Sequence, residues 1–200
     1  MHISDGILSS EVIISTSIIS LGFVLYSLRN LKNRSIAIVS AMSAIFFIAS
    51  FIHIPLGPTQ IHLVIIGVLG IILGPTIFLA ILIALLLQAT LLGYGGLTSL
   101  GANVFIMAFP GYLIYLLVKN KVLDFLPIKI RYFSIGFLTV FLATILLALI
   151  LALSKQEYLY ASYTIIFANI PAMIIEGLIT LFLINYLKKA LPELLKELSL

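Results

Sequence analysis

The chain has 200 residues, of which 62% are hydrophobic and 9% are charged, with a formal net charge of +4 and a mean hydropathy of +1.29. Soluble domains are about half apolar and a quarter charged, so this composition excludes an ordinary soluble domain and indicates one all-α integral membrane domain over residues 1–200. There is no cysteine, which excludes disulfides, thiolate metal sites and cysteine nucleophiles.

The N-terminal segment, residues 1–9, contains the first candidate site. Met1 and His2 together offer three nitrogens, namely the α-amine, the amide nitrogen of His2 and its imidazole, which can wrap one metal ion in fused chelate rings. Such donor sets suit Ni(II), Cu(II) and, less strictly, Co(II).

No basic region precedes the first apolar run, and Asp5 and Glu11 stand where a signal peptide would be positive. We therefore expect no leader peptide, a retained Met1, and a metal-chelating segment over residues 1–9.

Apolar runs of about 20 residues are long enough to cross a bilayer as helix. On that scale the sequence predicts about seven transmembrane helices, with six as the fallback, near residues 11–28, 35–52, 61–74, 76–92, 99–118, 132–153 and 161–187. The third run is short and is interrupted by Gly67, Gly70 and Gly74-Pro75, which predicts a tilted or half-length helix beside a re-entrant turn shielded by protein. The charged, leucine-rich residues 188–200 predict an amphipathic helix on the cytoplasmic surface.

Lysine and arginine lie almost entirely in one set of alternating loops. That set holds Arg29, Lys32, Arg34, Lys119, Lys121, Lys129, Arg131, Lys188, Lys189 and Lys196, whereas Lys155 falls in the other. Because cytoplasmic loops carry the excess of basic residues, we predict an N-terminus outside the cell and a C-terminus in the cytoplasm. The placement of the positive charge suits a lipid bilayer as partner, and nucleic acid is not expected.

The three histidines, His2, His53 and His62, all fall on the predicted outer side. Neutral imidazole is the commonest metal ligand, and polar groups at membrane depth are functional candidates. If the N-terminal segment folds into the mouth of the bundle, His62 can add a fourth nitrogen, and four nitrogens without a carboxylate favour Ni(II) or Co(II) over Mg, Ca or Mn. His53 has at most a supporting or interfacial role. The alternatives are that His62 makes an ordinary interhelical hydrogen bond and that His2 is an accident of a frayed terminus.

Three further polar residues lie inside apolar runs. Gln88 and Asn103 flank a glycine-rich turn, where they can orient the histidines by hydrogen bonds or simply join helices. Glu176 should be partnered or protonated, and the predicted topology places it nearer the middle of the membrane than the mouth, so it is not predicted as a ligand. Asp5-Gly6 is typical of a turn.

Four stretches of sequence carry a family resemblance. They are Met-His-Ile-Ser-Asp-Gly-Ile-Leu-Ser at 1–9, Ile-Pro-Leu-Gly-Pro-Thr-Gln-Ile-His-Leu at 54–63, Leu-Gln-Ala at 87–89 running on to Gly-Gly-Leu-Thr-Ser-Leu-Gly-Ala-Asn at 95–103, and Ile-Glu-Gly-Leu-Ile-Thr at 175–180. They resemble the cobalt/nickel substrate-capture (S) subunits of energy-coupling-factor ABC transporters, the CbiM/NikM type. The resemblance implies a multi-pass protein of a prokaryotic cell membrane that captures Co(II) or Ni(II) from outside, with cobalt for cobalamin synthesis favoured.

The same resemblance implies a set of ligands and partners. The metal, which is the transported substrate, would be held by the Met1 amine, the backbone nitrogen and imidazole of His2, and His62, with no organic cofactor. The partners would be a transmembrane coupling (T) subunit, cytoplasmic ATPase (A) subunits that hydrolyse ATP, and sometimes a small accessory membrane subunit.

Two residues depart from the family pattern. Ser4 stands where proline is common and would loosen the N-terminal loop, and Asn169 stands where histidine is common and puts a role for that histidine in doubt.

The sequence has no Walker A pattern, no Gly-x-Ser-x-Gly and no Cys/His zinc framework, so no catalytic residue is predicted and the chain is not expected to be an enzyme. Three other functions stay open: a nickel-specific uptake subunit, a membrane-embedded metallohydrolase using His53 and His62 with Glu176, and a vitamin-type capture subunit in which His2 is incidental. The predicted depth of Glu176 separates it from the histidines and counts against the hydrolase. Metal analysis of the purified protein would distinguish these functions.

Overall fold

The computed structural model of the protein describes residues 2–56 and 59–190, and for residues 33–34, 53–56 and 59–62 it describes the backbone alone. Eight α-helices and one antiparallel hairpin make up this part of the chain. They are α1 (Ser10–Asn30), α2 (Asn33–Ala49), β1 (His53–Leu56), β2 (Thr59–His62), α3 (Ile66–Leu73), α4 (Ile77–Leu87), α5 (Leu100–Lys119), α6 (Ile128–Ser154), α7 (Leu159–Ala168) and α8 (Ile170–Ala190). The predicted all-α class is confirmed, with the hairpin as a small addition.

Five helical stretches in the described residues are long and apolar enough to cross a membrane. They are Ser10–Asn30, Ile66–Leu92, Leu100–Lys119, Ile128–Ser154 and Gln156–Ala190, and Ser35–Ala49 is a shorter apolar helix. These stretches fit the composition, since apolar helices of this length satisfy their backbone groups internally and can lie in lipid. The number of crossings, about seven, and their orientation stay predictions.

The last of these stretches combines two helices. α7 meets α8 at Asn169, whose side-chain Nδ2 donates to the carbonyl of Ile165 at 2.9 Å. Pro171 follows in the first turn of α8, where its missing N–H costs no helical hydrogen bond. α8 continues to Ala190, so the first residues of the predicted amphipathic tail belong to this helix, and residues 191–200 lie outside the described part of the chain.

The predicted start of the third helix, at residue 61, is wrong. Residues 59–62 form β2, which pairs with β1 so that Ile54 lies opposite Ile61 and His53 opposite His62. The Leu63 N–H donates to the Ile52 carbonyl at 3.0 Å and closes the base of the hairpin. The physical reason is that three of the four residues of β2 are polar and that its backbone groups pair with β1, so α3 begins only at Ile66.

α3 is short, as the sequence predicts, because it spans 8 residues. That length is about 12 Å of helix, less than half of a hydrocarbon core of roughly 30 Å. A Cβ added at Gly70 would lie 2.3 Å from the Gly111 carbonyl oxygen, so α3 and α5 approach closely at a pair of glycines. At Gly74 the backbone has φ +52°, a conformation that favours glycine, and α3 ends there.

The chain reverses direction after Gly74, so the apolar stretch Ile66–Leu92 contains two antiparallel helices, α3 and α4, rather than one straight helix. The Ser27 hydroxyl near the end of α1 donates to the Pro75 carbonyl at 2.5 Å, and the Phe23 ring stacks on Phe78 with centroids 4.6 Å apart. α4 therefore runs back along α1 in the opposite direction. As a result, the end of α4 and the start of α5 lie at the same end of the bundle as the N-terminal segment.

Candidate metal centre

The N-terminal segment lies across the end of the bundle where α4 ends and α5 begins. Ile3 is buried, and its N–H donates to Asn103 Oδ1 at 2.9 Å. Its carbonyl accepts from Asn103 Nδ2 at 2.9 Å and from the Ser99 hydroxyl at 2.6 Å. Because both backbone groups of Ile3 are paired with α5 or the residue before it, the chain next to His2 is fixed in place.

The His2 imidazole packs into this corner. Its Nε2 lies 2.8 Å from Gln88 Oε1, and its ring centroid lies 6.4 Å from that of Tyr94. Burial and then the positive charge of the terminal amine lower the pKa of His2 to about 4, so the ring is neutral at pH 7. Since an amide oxygen accepts, we assign the ring proton to Nε2 and the lone pair to Nδ1. Nδ1 is the nitrogen that can close a six-membered chelate ring with the amide nitrogen of His2.

Gln88 occupies an irregular position at the end of α4. It begins a π-helical turn, Gln88–Leu92, of the kind that often marks functional sites in helices. The residue is fully buried, and its Nε2 has no hydrogen-bond partner among the described residues, whereas its Oε1 contacts His2. The side-chain partner of Gln88 in the described residues is therefore in the N-terminal segment rather than on a neighbouring helix.

Asp5 anchors the same segment to the start of α5. Its carboxylate accepts from the Thr98 hydroxyl at 2.5 Å and from the backbone N–H groups of Leu97, Thr98 and Ser99 at 3.0–3.1 Å. These hydrogen bonds, that of the Thr98 side chain first, hold the pKa of Asp5 below its ordinary value. Gly6 does form the predicted turn, with φ +81°, but Asp5 has a second role: it caps α5, which has no local side-chain cap.

Gly96→Ala is expected to displace Asp5, because a Cβ added at Gly96 would lie 1.9 Å from Asp5 Oδ1. The loss of the cap should raise the hydrogen-exchange rate of the Ile3 amide by about fivefold, as expected when roughly 1 kcal/mol of capping is lost. Hydrogen exchange followed by mass spectrometry measures this rate. Gly22→Ala is the matched control, since a Cβ there meets no atom within 4 Å, and equal exchange in both variants would contradict the role given to Asp5.

The remaining predicted ligands are only partly placed. Met1 and the side chains of His53 and His62 lie outside the described residues, although the backbone sets His53 opposite His62 in the hairpin ladder. Among the residues that the structure describes, no group of three or more His, Cys, Asp or Glu side chains comes together. The structure thus brings together His2, Gln88 and Asn103, and the metal-binding roles of Met1, His2 and His62 stay predictions.

Glu176 contacts the segment that joins β2 to α3. Its Oε1 accepts from the Val64 N–H at 2.5 Å, and its Oε2 accepts from the Ile65 N–H at 3.0 Å. It is therefore partnered, as predicted, by two residues that lie shortly after β2, since Val64 follows His62 by two residues. Its depth in the membrane relative to the histidine side chains stays a prediction. Because α3 begins beyond the hairpin, the chain after β2 reaches the first half of α8. Glu176 caps α3, which has no local cap.

Comparisons with known proteins identify the family of this chain. A family model described as the cobalt uptake substrate-specific transmembrane region (CbiM) matches residues 2–194. A putative metal transport protein of Haemophilus influenzae is 30% identical over 98% of both chains, and a putative cobalt transport protein CbiM of Methanococcus voltae is 32% identical over 100% of this chain and 96% of its own. A crystal structure of a truncated transition metal transporter has the same fold, with a TM-score of 0.80 and 21% identity over 95% of this chain and 99% of that chain. The resemblance found in the sequence is confirmed, and the chain belongs to the CbiM family of cobalt uptake substrate-specific transmembrane regions.

Proposed function

We propose that this chain captures Co(II) or Ni(II) from outside the cell as the substrate-specificity subunit of an energy-coupling-factor transporter. The observation that carries the proposal is the environment of His2. Its imidazole is neutral, half-buried and hydrogen-bonded to Gln88, while Asn103 fixes the backbone of the next residue. Supporting groups of this kind orient metal ligands, and their loss typically lowers metal affinity by about 10–100-fold.

The proposed coordination uses four nitrogens. The Met1 amine, the His2 amide nitrogen and His2 Nδ1 form two fused chelate rings, and His62 supplies the fourth nitrogen. The amide nitrogen becomes a ligand only after losing its proton, so metal binding releases a proton and weakens as the pH falls. This donor set is borderline-soft and without carboxylate, which favours Co(II) and Ni(II) over Mg, Ca or Mn.

The proposed setting is a prokaryotic cell membrane, with the N-terminal segment outside and the C-terminus in the cytoplasm, where the basic loops lie. A transmembrane coupling subunit and cytoplasmic ATPases would supply the energy, with a small accessory membrane subunit in some assemblies. Residues 1–9 would form the chelating segment and residues 188–200 the cytoplasmic end. No organic cofactor and no catalytic residue of this chain takes part.

Cobalt is the favoured substrate, and it would serve cobalamin synthesis. The Methanococcus voltae relative is named a cobalt transport protein, which supports this choice. Nickel is the alternative, since nitrogen sites generally bind Ni(II) more tightly than Co(II). Selectivity for cobalt then depends on the coordination geometry of the site and on which metal is available.

Two other functions are less well supported. A metallohydrolase would need Glu176 as a ligand or base, but both of its carboxylate oxygens accept backbone N–H groups. A vitamin-type capture subunit would leave His2 incidental, which does not account for its half-buried contact with Gln88. One equivalent of cobalt or nickel in the purified protein, rather than zinc or no metal, is the result that the proposal requires.

His62→Ala is expected to weaken binding of Co(II) and Ni(II) by roughly 100-fold or more, because it removes one of four nitrogen ligands. Isothermal titration calorimetry of the purified chain with each ion measures the affinity. His53→Ala is the matched control, since His53 is the backbone partner of His62 across the same hairpin, and its affinity should stay within about threefold of the parent. Equal effects of the two substitutions would remove His62 from the proposed ligands.

A further inference from the structure

A cavity of about 410 Å³ lies at the end of the bundle opposite the N-terminal segment. It opens between the α1–α2 connection, the turn from α3 to α4 and the end of α5. Its polar lining consists of Asn30, Lys32, Ser35, Thr76, Tyr115 and Lys119. The cavity therefore offers ammonium and hydroxyl donors at the end of the molecule where the basic loops lie.

Within the described residues, neither Lys32 nor Lys119 forms an ion pair with a carboxylate. No acidic side chain lines the cavity in the part of the chain that the structure describes, and the one ion pair found there joins Arg131 to Asp124. Lys119 Nζ lies 5.6 Å from the centroid of the Tyr115 ring, which places this ammonium group on the cavity wall. Two ammonium groups in one concave site attract an anion.

A second, apolar cavity adjoins the first at Tyr26, which lines both cavities. It measures about 400 Å³ and is lined by Ile19, Gly22, Phe23, Tyr26 and Tyr112. A Cβ added at Gly22 would meet no atom within 4 Å, so this residue leaves an open groove along α1. From Asn30 to Ile19 the helix rises about 16 Å, close to one leaflet of a hydrocarbon core roughly 30 Å thick.

We propose that the two cavities together bind one anionic phospholipid. The phosphate lies at Lys32 and Lys119, and one acyl chain follows α1 past Gly22. A free phosphate would use the cationic cavity but not the apolar groove, so the continuity of the two favours a lipid. Basic pockets between helices on the cytoplasmic side bind anionic headgroups in this way. With the orientation proposed above, on which this one point rests, the lipid comes from the cytoplasmic leaflet.

Native mass spectrometry of the full chain in detergent micelles with dioleoylphosphatidylglycerol or dioleoylphosphatidylcholine tests this site. The parent protein should retain one phosphatidylglycerol, with a clear preference over phosphatidylcholine. The Lys32→Ala/Lys119→Ala double variant should lose roughly 30-fold in phosphatidylglycerol affinity. Gly22→Leu, which fills the groove with both lysines intact, should also lower it by about tenfold. Lys129→Ala, an exposed lysine at the start of α6, is the control and should retain the lipid.

Four results would overturn the proposal. The first is equal retention of phosphatidylglycerol and phosphatidylcholine, and the second is an unchanged phosphatidylglycerol affinity in the Lys32→Ala/Lys119→Ala variant. The third is displacement of the lipid by millimolar inorganic phosphate together with an unchanged affinity in Gly22→Leu. The fourth is a bound second copy of the chain instead of a lipid. The third result would identify a free-phosphate site. Titration of the same samples with Co(II) separates this question from the proposed function, because lipid retention does not depend on metal binding.

Discussion

Acetylating the α-amine of Met1 is expected to abolish high-affinity binding of Co(II) and Ni(II), with a loss of roughly 100-fold or more. The acetyl group turns the amine into an amide without an available lone pair, which removes one ligand and one chelate ring. A metal ion bound to the amine also promotes loss of the proton from the neighbouring His2 amide nitrogen, and acetylation prevents this step. Calorimetry of protein acetylated at the N-terminus by a co-expressed acetyltransferase measures the effect.

The control for this experiment is the unacetylated protein from the same preparation, and His2→Ala provides an independent loss of the imidazole. Inserting one residue after Met1 would not serve as well, because an amine, two amides and an imidazole can form a different nitrogen chelate. Unchanged affinity in the acetylated protein would contradict the chelate, even if His2→Ala lowered the affinity, since a histidine alone would then be the ligand.

The sequence predicts the helices better than it predicts the contacts between them. Apolar runs locate the long helices because the signal is local and repeats along the chain. The predicted start of α3 is too early because residues 61 and 62 belong to a strand that pairs with β1, and this pairing is not visible in the local run of residues. Gln88 and Asn103 were identified because polar residues inside apolar runs are conspicuous, and both contact the N-terminal segment.

The two carboxylates of this region show what local sequence leaves out. Asp5 caps α5, 92–94 residues away in sequence, and Glu176 caps α3 from a distance of 111–112 residues. Neither α3 nor α5 has a local side-chain cap, and an uncapped helix start in an apolar bundle leaves N–H groups unpaired. A capping residue so far away carries no sequence pattern, so Asp5 was predicted only as a turn and Glu176 only as a partnered acid. Both contacts tie a segment with proposed ligands to the bundle.

Glu176→Ala is expected to destabilise the protein by roughly 2–6 kcal/mol, because the buried N–H groups of Val64 and Ile65 would lose their acceptor. Ile65 adds to the effect, since it has φ +46° although it is β-branched, a conformation that costs about 1–3 kcal/mol and persists only when its surroundings hold it. Thermal unfolding in detergent micelles measures the loss. Because these residues follow β2, the substitution should also lower the affinity for Co(II), by about tenfold or more.

Glu176→Gln separates the geometry of this contact from its charge. The amide keeps one oxygen acceptor, so it should retain part of the stability and of the Co(II) affinity that alanine loses, since a hydrogen bond to a charged group is worth about twice a neutral one. Asn185→Ala is the matched control on α8, because its exposed side chain bonds only the carbonyl of Leu181, at 2.8 Å, within the same helix. If Glu176→Ala unfolds at the temperature of Asn185→Ala, the carboxylate does not hold α3. Glu176→Ala could instead unfold at a lower temperature than Asn185→Ala but bind Co(II) as tightly as the parent protein. In that case Glu176 stabilises α3, and the position of the hairpin does not depend on Glu176.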